Sequence, residues 1–233
     1  MRNTEAATLQ LKTAEKEREW QREGIPVLKM KLSLPAAVQT PDSRIRRFSR
    51  YYRGFARSYE RYCARFLLPE AEEDFRLKRL ASRPFSAWEA RVSFCVTYQT
   101  PVLLSIRADA EEFHGEKRER LIRRADTWNL CDGFPMRLSD FFPGELFYRH
   151  RILKQLRAET ALRRERGALF REDLKIRLRT AFNAENFYLT EEGLHLYYQM
   201  YALAGEEMGA PDFLLPWGKL PCIPKELLDS DNS

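Results

Sequence analysis

Residues 88–110 read WEARVSFCVTYQTPVLLSIRADA, and this stretch decides the fold class. Apolar and polar side chains alternate as far as Tyr98, and the alternation resumes at Val102 after the turn-forming Thr100-Pro101. Alternation with a period of two indicates strands that bury one face, and two such runs joined by a short turn predict an antiparallel hairpin. The stretch therefore predicts a sheet whose neighbouring strands are also neighbours in the chain.

Other segments add strands on both sides of this hairpin. The apolar residues of segment 26–34 fall on every second position, which predicts a half-buried strand. Similar reasoning predicts further strands at residues 118–130, 186–190, 194–198 and 212–217. By contrast, residues 5–22 include eight charged residues and no continuous apolar stripe, and they are predicted as a weakly amphipathic helix ended by Gly24.

The clearest predicted helix covers residues 45–66. Its aromatic residues from Phe48 to Phe66 recur at spacings of three and four, which places them on one helical face, and Asp42 or Ser43 is the predicted N-cap. Three further helices are predicted at residues 70–83, 145–166 and 170–182.

Runs of strands separated by runs of helices predict an α+β fold, with antiparallel meander and hairpin sheets packed against several helices and no Rossmann-type parallel sheet. Four regions are expected along the chain: a charged N-terminal helix or tail (1–23), an α+β subdomain (24–110), a second subdomain (111–220) and an acidic tail (221–233).

Composition excludes several protein classes. The chain has 233 residues, of which 44% are hydrophobic and 12% aromatic, so it has the material for a folded core and is not disordered. No apolar run approaches the roughly 20 residues of a membrane span, and the N-terminus lacks the pattern of a secretory signal. We therefore expect a cytoplasmic protein without a membrane span. The four cysteines and three histidines are too dispersed for a metal motif, so neither metal nor cofactor is expected.

Charge is distributed unevenly along the chain. The formal net charge is +6, yet residues 183–233 carry nine acids and two bases, which leaves 38 bases and 25 acids in residues 1–182. The arginines of the predicted helix 45–66 lie opposite its aromatic face. The candidate contacts to nucleic acid among them are Arg46, Arg50, Arg53 and Arg57. Such a face can bind phosphate groups, but runs of charge are more often typical of a solvated helix that pairs with acids elsewhere in the chain.

Several stretches carry a resemblance to a known family. They are Gly24-Ile25-Pro26-Val27-Leu28, Phe94-Cys95-Val96-Thr97-Tyr98, Leu103-Leu104-Ser105-Ile106, Asp126-Thr127-Trp128-Asn129-Leu130, Leu138-Ser139-Asp140-Phe141-Phe142 and Asn186-Phe187-Tyr188-Leu189-Thr190-Glu191-Glu192-Gly193-Leu194. The chain resembles, over residues 24–220, the extracytoplasmic domain pair of the lysozyme-sensing (RsiV-like) anti-sigma factors of Gram-positive bacteria, which is also attached to some peptidoglycan deacetylases. The resemblance implies a bacterial, Gram-positive origin.

The resemblance also implies a binding or sensing module, with lysozyme as a protein partner. Candidate contacts are His114, Gly115, Tyr98, Tyr198, Tyr201, Glu206 and Glu207. His114 and Gly115 match the last two positions of a Gly-Gly-Ala-His-Gly loop that is usual in the family. No catalytic residue is expected, because no Ser, Cys or carboxylate pair with a supporting motif accompanies His114. Two alternatives stay open: a nucleic-acid-binding protein, and a cell-wall hydrolase that depends on His114.

Overall fold

The computed structural model describes residues 9–38 and 42–217. These residues form two compact units, each of which is assembled from separate chain segments. The first unit contains residues 9–38, 42–94 and 108–122, and the second contains residues 95–107 and 123–217. The domain boundaries predicted near residues 23, 110 and 220 stay predictions, and the acidic tail 221–233 lies outside the described residues.

The elements form an α+β fold, so the predicted class is confirmed. The strands are β1 (Leu11–Arg22), β2 (Ile25–Ala37), β3 (Trp88–Gln99), β4 (Leu103–His114), β5 (Lys117–Asn129), β6 (Phe134–Pro135), β7 (Phe187–Leu189), β8 (Gly193–Tyr197) and β9 (Asp212–Pro216). The helices are α1 (Ser43–Tyr62), α2 (Leu68–Leu80), α3 (Tyr148–Glu165) and α4 (Leu174–Thr180). Strands β1 to β6 follow one another in a six-stranded sheet, and β7 to β9 form a three-stranded sheet.

The helix predicted for residues 5–22 is wrong over its described part, because Leu11–Arg22 is strand β1. It pairs antiparallel with β2 through a turn in which Glu23 and Gly24 have φ angles of 52° and 77°. Positive φ at both central residues is the geometry that tight hairpin turns favour. In β1 it is the sign of the charge that alternates, from Glu15 through Lys16, Glu17 and Arg18 to Glu19. Glu17 lies opposite Lys31 of β2, with 3.1 Å between carboxylate and ammonium. A prediction based on apolar residues alone could not detect it.

Strand β2 also pairs with β3, and this pair is parallel, from Leu28 opposite Trp88 to Leu32 opposite Val92. Parallel neighbours require a crossover connection, which the segment containing α1 and α2 supplies. The sequence predicts only antiparallel pairing, because hairpin turns are visible in a sequence whereas the choice of a distant partner strand is not.

Helix α1 packs its aromatic face inward as predicted, with Phe48 and Tyr59 at 2% and 8% exposure. Asp42 is its N-cap and accepts a hydrogen bond from the backbone N–H of Arg44. Phe66, which the spacing predicts on the same face, is 53% exposed. The reason is a π-helical turn at Cys63–Leu67, which carries one extra residue per hydrogen-bonded ring and so shifts the buried face to Cys63 and Leu67.

The second unit has its own core, to which Phe141, Leu156, Leu196 and Phe213 contribute fully or almost fully buried side chains. The predicted hairpin at residues 186–198 and the final strand are confirmed as β7, β8 and β9. The helix predicted for residues 170–182 is shorter than expected, since Phe170 instead forms a β-bridge with Ala204.

We expect Leu32→Ala to lower the free energy of unfolding by about 2–5 kcal/mol, because the substitution leaves a cavity at a fully buried position of β2. The neighbouring Lys31→Ala substitution is the control, since Lys31 is exposed and should change the stability little. Urea denaturation followed by circular dichroism measures both. Equal losses would contradict the assigned faces of β2.

Candidate functional site

The three-stranded sheet of the second unit presents a polar face. Residues such as Leu194, Leu196 and Phe213 lie in the core, and the alternation of the strands places the intervening residues on the other face. These intervening residues are Tyr188 on β7, His195 and Tyr197 on β8, and Asp212 on β9.

Asp212 connects these residues. Its Oδ1 lies 2.6 Å from Nδ1 of His195, and its Oδ2 accepts a hydrogen bond from the hydroxyl of Tyr188. Nη1 of Arg123 lies 3.5 Å from the same Oδ2, and Arg163 donates to the backbone oxygen of Asp212 at 2.9 Å. We call Tyr188, His195, Asp212, Arg123 and Arg163 the Asp212 cluster.

The electrostatics of the Asp212 cluster keep Tyr188 protonated. Burial, followed by the hydrogen bond to Asp212, raises the pKa of Tyr188 to about 12. The imidazole of His195 stacks on the ring of Tyr188, with 4.8 Å between centroids. The tyrosine hydroxyl bonds the carboxylate and not the imidazole, which differs from a triad in which the histidine takes the proton of the nucleophile. The cluster is therefore suited to holding β7, β8 and β9 together.

Residues 198–211, the β8–β9 loop, follow directly from this cluster. At the start of the loop the backbone N–H of Tyr198 donates to the oxygen of Pro211 at 2.8 Å, and its hydroxyl donates to Leu178 O at 2.8 Å. The amide of Gln199 forms two bonds with the backbone of Arg123, one accepted from N–H at 2.9 Å and one donated to O at 2.7 Å. Both ends of the loop are thereby fixed to the core.

The middle of the β8–β9 loop is also held. The backbone N–H of Arg171 donates to Leu203 O at 3.0 Å. Tyr201 has a φ of 66° and a side chain that is 40% exposed. A bulky residue rarely adopts positive φ, and such conformations persist only where the surrounding structure imposes them. A short 3-10 turn, Glu206–Met208, completes the loop.

Four of the seven predicted contact residues lie in the β8–β9 loop. Tyr201, Glu206 and Glu207 reach its surface to different extents, whereas Tyr198 is only 2% exposed and belongs to the core. Tyr98, at the end of β3, packs against the core of the same unit, and burial raises its pKa. A contact role for these residues stays a prediction.

His114 and Gly115 belong to the first unit. The sequence predicts His114 in a loop, but it is the last residue of β4, where its ring stacks on Trp88 with centroids 3.4 Å apart. Burial is the largest influence on its imidazole and lowers its pKa. Gly115 has a φ of 68° in the turn to β5, which explains why a glycine occupies this position.

The alternative contact residues Arg46, Arg50, Arg53 and Arg57 all lie on α1 and are exposed. Within residues 9–38 and 42–217, no group of three or more His, Cys, Asp and Glu side chains is arranged to hold a metal ion. The helices of this part of the chain include none that is long and apolar enough to cross a membrane.

The sequence does not reveal the Asp212 cluster, because its members are up to 89 residues apart, as Arg123 and Asp212 are. One signal is present: Tyr188, His195 and Tyr197 are polar or amphipathic residues at alternate positions of the predicted hairpin strands. The pairing of β8 with β9 across a long loop, which brings in Asp212, has no local signal.

Residues 139–218 match the model of a family described as a protein of unknown function, DUF3298. A crystal structure of a DUF3298 family member from Bacteroides fragilis is similar, with a TM-score of 0.66 and 15% identity, covering 90% of this chain and 91% of that one. One from Pseudomonas aeruginosa has a TM-score of 0.61 and 15% identity, covering 95% and 97%. No curated protein matches the sequence.

These likenesses concern the fold. The matched segment contains Tyr188, His195, Asp212 and the whole β8–β9 loop, whereas Arg123 of the Asp212 cluster lies outside it. At 15% identity the two solved structures share the architecture over nearly the full length of the chain, and a common architecture does not define a common activity.

We expect Asp212→Asn to lower the free energy of unfolding by about 1–3 kcal/mol, because it weakens charge-assisted bonds to partly buried partners. Asp173→Asn on the exposed start of α4, where Asp173 pairs with Arg177, is the matched control and should have little effect. Chemical denaturation of the three proteins measures the difference. An effect of Asp212→Asn as small as that of the control would show that the cluster does not stabilise the unit.

We expect His114 to titrate below the ordinary histidine pKa of about 6.5 in NMR spectra of the folded protein. Burial favours the neutral imidazole, so the contribution of His114 to the free energy of unfolding depends on pH. It is complete above the ordinary histidine pKa and is lost as the pH falls through the lower pKa of the folded protein. A short peptide containing His114 is the reference, and His114→Gln assigns the signal. A titration at or above the peptide's value would contradict the partial burial of His114 against Trp88.

Proposed function

We propose that this protein is a non-catalytic protein-binding or sensing module whose contact surface is the β8–β9 loop. One observation carries the proposal: Tyr201 is an exposed aromatic residue held at positive φ in a loop that is hydrogen-bonded to the core on both sides. Strained conformations of this kind concentrate at functional sites.

The fixed loop favours binding for an energetic reason. Ordering a flexible loop on association costs free energy, and a loop that is already held by Gln199 and Tyr198 avoids most of that cost. Tyrosine is also among the residues that contribute most to protein interfaces, since it combines a large apolar ring with a hydroxyl and has few rotatable bonds.

The charge of the loop indicates the chemistry of the partner. Glu206 and Glu207 lie in its 3-10 turn and add negative charge to the segment that carries Tyr201, which suits a basic protein surface. Lysozyme, the partner implied by the resemblance to the RsiV-like anti-sigma factors, is the first basic protein to test. The hydrolase alternative is less well supported, because the imidazole of His114 is stacked on the ring of Trp88.

We expect lysozyme to bind the protein in isothermal titration calorimetry and Tyr201→Asn to weaken that binding by about tenfold or more, as for an aromatic hot spot. Asparagine tolerates positive φ, so this variant removes the ring while keeping the backbone conformation. Phe134→Ala, which truncates another exposed aromatic residue of the same unit, is the control and should bind normally.

Repeating the titration at 0.5 M salt separates a shaped interface from attraction between unlike charges, since the Debye length falls to a few ångströms at high salt. Binding that persists in salt supports the proposal. Wild-type protein that does not bind lysozyme would exclude the partner, and unchanged binding by Tyr201→Asn would exclude the loop as the contact surface.

A further inference from the structure

Helix α1 presents a continuous basic face to solvent. The exposed residues of this arginine face recur at spacings of four, three, four and four: Arg46, Arg50, Arg53, Arg57 and Arg61. They lie on the opposite side of the helix from the buried Phe48, Tyr52 and Tyr59. At a rise of 1.5 Å per residue, the face extends over about 22 Å.

Most of this face is not neutralised by neighbouring acids. Among the residues that the structure describes, no carboxylate forms an ion pair with Arg50, Arg53, Arg57 or Arg61. Arg53 donates to the backbone oxygen of Ser49 at 3.1 Å, and Arg61 donates to the hydroxyl of Ser58 at 3.3 Å. Both partners are uncharged groups on α1 itself, so neither bond neutralises the charge of Arg53 or Arg61.

Strand β1 engages the one acid that α1 contains. Glu60 binds Nζ of Lys16 at 2.5 Å and Nη1 of Arg18 at 2.6 Å, and both partners belong to β1. These hydrogen bonds lower the pKa of Glu60, which keeps it ionised and paired with β1. Glu60 therefore pairs with two bases of β1 and not with the arginine face.

Gly54 is a second, independent observation on the same face. It lies in the middle of α1 beside Arg50 and Arg57 and is exposed, and among the described residues no atom beyond its chain neighbours and the backbone of α1 lies within 4 Å of the position that a Cβ would occupy. Glycine weakens a helix interior relative to alanine, and no neighbour among the residues that the structure describes requires it here. A glycine at such a position allows another molecule to approach the helix backbone closely.

We propose that the arginine face binds the phosphate backbone of double-stranded nucleic acid without reading its base sequence. A duplex carries one negative charge per about 1.7 Å of its axis, so the face would meet many phosphates along its length. Guanidinium groups bind phosphate oxygens in pairs of parallel hydrogen bonds. A membrane-surface helix inserts its apolar face into lipid, and the apolar face of α1 is buried within the protein.

The test is fluorescence anisotropy of a labelled 20-base-pair DNA duplex with the full chain, over a series of salt concentrations. We expect log K to fall linearly with log salt, with a slope of about −0.9 per phosphate neutralised. The triple variant Arg50→Gln/Arg53→Gln/Arg57→Gln should reduce the magnitude of that slope by about three, because each removed guanidinium leaves about one phosphate without its cation.

The control variant removes the same charge from exposed positions of α3 and its end, through Lys154→Gln, Arg157→Gln and Arg166→Gln. We expect its slope to equal that of the wild type. Equal reductions in the two triple variants would mean that only net charge attracts the duplex, and this would overturn the proposal. Binding to phosphatidylserine vesicles but not to the duplex would also overturn it.

Gly54→Ala tests the close approach separately. The variant should unfold at a higher denaturant concentration, because alanine stabilises a helix interior, and should nevertheless bind the duplex more weakly than the wild type. Since stability and binding change in opposite directions, a folding defect cannot explain the result. A Gly54→Ala protein that binds as tightly as the wild type would contradict close approach of the duplex to α1.

Discussion

Burial of every second side chain in the strands is the constraint on which the rest of this structure depends. In the first unit, Leu28, Met30 and Leu32 of β2 are buried, and α1 packs against this strand with its aromatic face. Because one face of α1 is buried, its arginines lie on the other. In the second unit, the same alternation in β7, β8 and β9 leaves Tyr188, His195 and Asp212 together on the face away from the core.

The Asp212 cluster contributes to the candidate site by stabilising the strands next to the β8–β9 loop. A carboxylate taken partly out of water costs free energy unless its oxygens are bonded, and here Tyr188, His195 and Arg123 supply the bonds. The result is the fixed geometry of β8 and β9, the two strands that flank the loop carrying Tyr201. Both ends of that loop are secured, and such support is what a residue held at positive φ requires.

The two candidate surfaces differ in charge and are built differently. The β8–β9 loop is a short acidic segment with one exposed tyrosine, which suits a specific protein partner. The arginine face is a long, regular and basic array, which suits a repeating anion. The sequence contains this difference as the acidic balance of residues 183–233 against the basic balance of residues 1–182. The two surfaces share no residue, so substitutions can be made in one without changing the other.

The sequence by itself determined the class of the fold, most strands, the aromatic and arginine faces of α1 and an N-cap at Asp42 or Ser43, because periodicity and capping depend on residues close together in the chain. Only the tertiary structure decided that residues 11–22 form a strand, that β2 pairs in parallel with β3, and that a π-helical turn exposes Phe66. The Asp212 cluster is also a product of the tertiary structure, since its members come from distant segments of the chain. Such interactions depend on which segments pack together, and that choice is made by the free energy of the whole fold.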